Sequence, residues 1–212
     1  MKLKIIEKLN WRYATKLFDS TTILSEDKIN ILIHAFNLTA TSYGLQPIKL
    51  MVIEDKELQQ ELTVHAMNQK QVGQASHLLV FCIQTEINKH FVKAYFDRVY
   101  AIRKTPKDIL KPFESFLIDD FENKSQKDIE AWATNQAYLA LGNLMTVCAI
   151  EGIDACPMEG FDAAKYDEIL HLKEKGLKSV LIMPIGYRDK DDMFADLKKV
   201  RKEVADSVIM HK

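Results

Sequence analysis

The chain of 212 residues is informative first through what it lacks. No G-x-G-x-x-G follows an apolar run and no G-x-x-x-x-G-K-[ST] occurs, which removes the usual marks of a Rossmann dinucleotide site and of a P-loop. The six histidines and three cysteines show neither H-E-x-x-H nor paired ligand spacing, so no metal site is expected. No G-x-S-x-G elbow is present, which removes the usual signature of serine acyl transfer. Lys and Arg number 29 against 30 Asp and Glu, so there is no basic excess for nucleic acid or anionic lipid. No apolar run approaches the roughly 18–20 residues of a membrane span. Met1 to Lys16 interleaves charged and apolar residues and carries no secretory h-region. An odd cysteine count without paired spacing does not form a disulfide framework. Cys82 and Cys148 lie in apolar runs and read as small core residues, and a cytoplasmic location is expected. Side chains accept hydride poorly, so any redox chemistry in such a chain falls to a bound cofactor.

What is present is a core and an alternating pattern. The hydrophobic share of 47% is enough for one domain over residues 1–212. Helical spacing predicts helices over Leu3–Asn10, Ile29–Phe36 behind Ser25, Lys56–Met67 and Ile87–Arg103. Ile109 to Phe121 is aromatic-rich and broken by Pro112. Ser125 and Asp128 resemble a capping box opening the longest helix, about Gln126 to Glu151, with Gly152 as its stop. The second half of that helix is apolar nearly all round, which suits a core or a subunit interface. Strands are expected at Lys49–Ile53, His77–Ile83 and Leu177–Ile185, the last two as doubly covered apolar runs. One small sheet surrounded by helices, an α+β fold, fits this helical share better than a large doubly wound sheet.

Four separated segments carry the chemistry: Arg12-Tyr13-Ala14-Thr15-Lys16-Leu17-Phe18-Asp19, Thr41-Ser42-Tyr43-Gly44-Leu45-Gln46-Pro47, Pro157-Met158-Glu159-Gly160-Phe161-Asp162 and Lys199-Val200-Arg201. In their order and spacing the chain resembles the FMN-dependent nitroreductase family, and within it the oxygen-insensitive NAD(P)H nitroreductase and dihydropteridine reductase branch. Ala75-Ser76-His77, Val80-Phe81-Cys82 and Leu172-Lys173-Glu174-Lys175-Gly176 add to the likeness. The resemblance implies a central mixed sheet of four to five strands flanked by helices, in an intertwined homodimer with two FMN sites at its interface. It implies NAD(P)H as donor, with two electrons passing by ping-pong hydride transfer to nitroaromatic, quinone or pterin-like acceptors.

The resemblance also assigns residues. Arg12, Lys199 and Arg201 would bind the flavin phosphate, a task suited to planar guanidinium forks. Lys16 would face the N1 and O2 side, where a cation favours the reduced ring. Tyr13 and Ala14 belong to the same segment. Thr41, Ser42 and Gly44 would approach the flavin from the other subunit. Asn68 and Gln71 would hydrogen-bond the ring edge. The backbone of Pro157, Met158, Glu159 and Gly160 would line the ring, with the Glu159 amide near N5. Lys16 and Glu159 are thus the catalytic candidates. Residues 202–212 are expected as an arm toward the partner, with Val204–Ile209 adding an edge strand. Ile48, Gln71 and Ala14 depart from the family pattern and bear on acceptor choice and flavin potential.

Each segment alone has a plainer reading. Arg12 and Lys16 four apart suit a solvated helical face, and Lys199 and Arg201 a charged helix end. Thr41–Pro47 suits an ordinary loop. Cys156 reads as a passive filler, and Phe113, Phe116 and Phe121 as core before substrate lid. Joint occurrence in family order overrides these readings for the four segments. The rivals are a non-catalytic flavin-binding or sensing protein, a reductive dehalogenation on the same scaffold, and a helical module holding no cofactor.

Overall fold

A computed structural model describes residues 2–211. In chain order the elements are α1 (Lys2–Trp11), α2 (Glu26–Asn37), β1 (Ile48–Ile53), α3 (Lys56–Val64), α4 (Gln71–Gln74), β2 (His77–Gln84) and α5 (Lys89–Arg103). Then follow α6 (Lys107–Glu122), α7 (Gln126–Glu151), β3 (Asp154–Ala155), α8 (Ala163–Ile169), β4 (Leu177–Gly186) and α9 (Val204–Ser207). The four strands form one sheet in the order β1-β2-β4-β3, and each neighbouring pair is antiparallel. The parallel component of the sheet is a single bridge from Ala14 to Ala155.

Period-two alternation in β2 divides the interior in two. Leu79, Phe81 and Ile83 join Leu181, Met183 and Ile185 of β4 in a core beneath α2, α5, α6 and α7. Leu78, Val80 and Cys82 point the other way, to Leu62, Val72, Ile182, Tyr166 and Leu170. A strand covered on both faces needs no polar residue on either side, which explains the unbroken apolar run.

The long helix α7 has the bounds its sequence announces. The Ser125 hydroxyl accepts the Asp128 amide at its start, and Gly152 ends it in the left-handed conformation at φ 66°. Elsewhere the expectations need correction. Helix α6 runs continuously through Pro112. The missing proline N–H deprives only the Asp108 carbonyl, and both residues are exposed, so water can serve it. Buried Leu117, Ile118 and Phe121 hold this helix down. Helix α3 stops at Val64 rather than Met67, because Met67 and Asn68 both turn left-handed, at φ 55° and 53°. Val204–Ser207 is a helical turn and no strand forms over Val204–Ile209. That segment is exposed along its length and lies on no strand of its own chain, so it has no ladder to join.

Candidate functional site

The loop after α1 and the segment after β4 meet at a cavity of about 360 Å³. Arg12, Tyr13, Ala14 and Lys16 line it from one side, and Lys199, Val200 and Arg201 from the other, across almost the whole chain. The Lys199 ammonium donates to the Arg12 carbonyl, tying the two segments directly. Burial holds the Arg12 guanidinium below its ordinary pKa, and the charge of Arg201 adds to this. Burial likewise lowers Lys199, and Arg12 and Arg201 repel it further. Among the described residues, none of these cations is in an ion pair with a carboxylate. Two partly buried cations, Arg12 and Lys199, beside exposed Arg201 and with no carboxylate partner among the described residues form a site that an anion would stabilise.

Two braces that lie outside the four sequence segments shape this loop. The Asp192 carboxylate is 4% exposed. Its Oδ2 accepts from the Tyr13 hydroxyl at 2.8 Å, the Lys16 amide at 2.9 Å and the Leu17 amide at 3.1 Å. Its Oδ1 accepts from the Phe194 amide at 3.1 Å. Burial raises the Asp192 pKa, but these hydrogen bonds outweigh it and leave the group below the ordinary carboxylate value. The Tyr13 hydroxyl is therefore committed to Asp192, and burial with that hydrogen bond pushes its pKa up. The second brace is Arg188, paired with buried Asp154 at 2.6 Å. Its guanidinium lies 4.2 Å from the Trp11 ring and 4.6 Å from the Tyr13 ring, the two residues flanking Arg12. Neither acid belongs to a short motif. Only the charge-rich run Arg188-Asp189-Lys190-Asp191-Asp192 beyond an apolar strand hinted that something there pairs inward.

Lys16 links the cavity to a second group of expected residues. Its ammonium lies 3.8 Å from the Cys156 sulfur. Burial pushes the Cys156 thiol up, against the opposing pull of Lys16 and a hydrogen bond from Gln71, so it stays a neutral thiol. Gln71 is 5% exposed, and its amide reaches Gln69 Oε1 at 3.0 Å and the Met158 sulfur at 3.9 Å. Met158 is fixed by a bridge to Ile182. Beyond it the chain leaves the sheet, and among the described residues the Glu159 amide has no acceptor. The Gln69 amide donates to the Gly160 carbonyl at 3.1 Å. A Cβ on Gly160 would stand 3.3 Å from Gln69 Nε2 and 3.5 Å from Met67 Sδ, so glycine allows this close approach. Exposed Asn68 sits in the same turn. The Glu159 carboxylate accepts from the Tyr138 hydroxyl of α7 at 2.5 Å.

The structure thus gathers Arg12, Tyr13, Ala14, Lys16, Lys199 and Arg201 at one end. It gathers Asn68, Gln71 and Pro157–Gly160 beside Lys16 at the other. It does not bring Thr41, Ser42 and Gly44 to them within one chain. Those three form a tight turn in which Tyr43, Gly44 and Gln46 have φ of 57°, 73° and 49°. The Ser42 amide donates to buried Gln136 of α7 at 2.8 Å. Tyr43 wedges among Phe113, Phe121 and Trp132, each at 6.4 Å between ring centroids. Ile48 opens β1 as a buried residue beside this region, away from the cations. Of the aromatics on α6, Phe121 is core, while Phe113 and Phe116 are exposed.

Fold and site together define an α+β domain in which the loop after α1 and the segment after β4 line one cavity with cationic side chains. Residues 9–187 match the nitroreductase family, and the chain belongs to that family. A protein of Staphylococcus epidermidis provisionally named an NAD(P)H nitroreductase is 33% identical over 176 residues, covering 80% of this chain and 79% of its own. YfkO of Bacillus subtilis, provisionally named in the same way, is 31% identical over 202 residues, 90% of this chain and 91% of its own. Among solved structures, ydfN of Bacillus subtilis superposes with a TM-score of 0.88 at 20% identity over all of both chains. A protein of Exiguobacterium sibiricum, provisionally named a nitroreductase and solved in complex with FMN, gives 0.82 at 18% identity, over 98% and 97% of the two chains. These two likenesses establish the nitroreductase fold. Among the described residues no helix is long and apolar enough to cross a membrane, and no cluster of metal-binding side chains is found.

Proposed function

We propose that the chain is an FMN-dependent NAD(P)H oxidoreductase acting as a cytoplasmic homodimer on nitroaromatic, quinone or pterin-like acceptors. The observation that carries this reading is the convergence of Arg12, Lys199 and Arg201 around one cavity, without a carboxylate partner among the described residues. That donor set fits a phosphate dianion, to which each charge-assisted hydrogen bond contributes about 1.5–3 kcal/mol. Kinship with proteins named for NAD(P)H nitroreductase activity, and with a neighbour solved with FMN, supports flavin as the group that carries the phosphate.

Two-electron transfer from NAD(P)H to the acceptor, in ping-pong order, is the chemistry that bound FMN supplies. The chain's own work is binding and electrostatics. Arg12, Lys199 and Arg201 hold the phosphate. Lys16 places a positive charge beside the ring and favours its reduced, anionic form. Gln71 and Asn68 offer hydrogen bonds along the ring edge. The Glu159 amide, with no acceptor among the described residues, is the donor assigned to the reacting edge. Thr41, Ser42 and Gly44 complete the site from the second copy.

Exposed apolar residues support that second copy. Ile5, Ile6 and Leu9 on α1 and Leu139 and Ile150 on α7 leave neighbouring faces uncovered, and Ile209 in the terminal arm is 97% exposed. Residues 202–212, of which Lys212 lies outside the described residues, would reach onto the partner's surface. The test is the visible spectrum of the purified protein, followed by NADPH or NADH under nitrogen. The expected result is an oxidised flavin band that bleaches on reduction and returns with a nitroaromatic or quinone. A flavin that never bleaches would make this a flavin-binding protein without turnover. A protein that takes up no FMN would remove the reading altogether.

A further inference from the structure

Asp192 accepts hydrogen bonds from both chain segments that deliver the cations. We propose that Asp192 is a positioning residue for the phosphate end of the site: its buried carboxylate sets the backbone of the Arg12–Lys16 loop against the segment that carries Lys199 and Arg201. The inference rests on the flavin reading above.

The geometry favours positioning over general stability. Residues 189–203 have no helix or strand to order them, so the path from β4 to Lys199 depends on local ties. Besides the Lys199–Arg12 contact, Asp192 supplies the main side-chain tie to the N-terminal loop. Three of its donors, the Tyr13 hydroxyl and the Lys16 and Leu17 amides, lie within the loop that presents Arg12 and Lys16. The fourth, the Phe194 amide, begins the stretch leading to Lys199 and Arg201. All four are donors, so only a group that accepts through both oxygens satisfies them. An asparagine of the same shape would turn an NH₂ group toward either Phe194 or the Tyr13–Lys16–Leu17 trio, setting donor against donor. The Arg188–Asp154 pair braces the other flank through Trp11 and Tyr13, so the loop stays attached when Asp192 is altered and only its aim changes.

The experiment compares FMN with riboflavin, which lacks the phosphate, on apoprotein of wild type, Asp192→Asn and Tyr13→Phe. Dissociation constants come from quenching of flavin fluorescence, and apoprotein unfolding temperatures from thermal scans. The quantity read is the preference for FMN over riboflavin, which isolates the phosphate contribution. Asp192→Asn is expected to lower that preference at least about tenfold, the loss of roughly one charge-assisted hydrogen bond. Its riboflavin affinity should stay near wild type, while its unfolding temperature should fall by the few degrees that facing donors cost. Tyr13→Phe removes one donor of four and should lower the preference less. An unchanged preference in Asp192→Asn, or equal losses for both flavins, would overturn the proposal. Should Asp192→Asn fail to fold, an unchanged preference in Tyr13→Phe overturns it instead. A wild-type protein that binds neither flavin defeats the flavin reading and this inference with it, whereas binding by wild type with no change in the variants defeats this inference alone.

Discussion

The cation cavity and the Thr41–Gly44 turn both carry residues of one expected site, yet they are built in opposite ways. The cavity is assembled from two irregular segments tied by side chains, Asp192 and Arg188 above all, and it is complete within one chain. The turn is held by left-handed backbone and an aromatic wedge, and it shares no lining residue with the cavity. One chain therefore makes the cation cavity by itself and keeps the Thr41–Gly44 turn apart from it. On the proposed reading, a ligand spanning both would need two copies.

Three changes would break or sharpen that contrast. The largest effect belongs to the cavity. Replacing Arg12 by Ala together with Lys199 by Met should weaken FMN binding at least about a hundredfold, since two charge-assisted contacts are lost. The unfolding temperature of the apoprotein should hold or rise, because burial and mutual repulsion disfavour these charges in the fold. Fluorescence titration and thermal scans measure both. The turn should respond in stability instead. Gly44→Ala would place a Cβ 2.7 Å from the Tyr95 hydroxyl at a φ of 73°. It should cost about 1–3 kcal/mol in chemical unfolding and leave the riboflavin-to-FMN ratio unchanged. The smallest effect is on acid stability. Asp192 has its pKa depressed in the fold, so its contribution is full above the ordinary carboxylate value near 3.8 and is lost as pH falls through the lower folded value. Urea unfolding of wild type should therefore weaken below about pH 4 by an increment missing in Asp192→Asn.

The sequence made long, regular elements readable and hid short, irregular ones. Helix α7 carried a cap, an apolar body and a glycine stop, each with its own local cause. Strands β2 and β4 were legible as apolar runs because both faces are covered. The two residues of β3 are too few for any periodicity. Pro112 misled because a proline near the start of an exposed helix turn loses one hydrogen bond that water replaces. At the site, Arg12, Lys16, Lys199 and Arg201 were readable through their motif order, and the fold brings them together. Asp192 and Asp154 were not, because a buried carboxylate's role depends on donors far away in the chain, and nothing in its neighbours names them.

The most direct test of the central claim is sedimentation of the reconstituted protein, followed at the flavin absorption band and at 280 nm across a dilution series. The account predicts flavin travelling at the mass of a dimer, one FMN per chain, and released as dilution yields monomer. Flavin held firmly by a monomer of 24.4 kDa would contradict it.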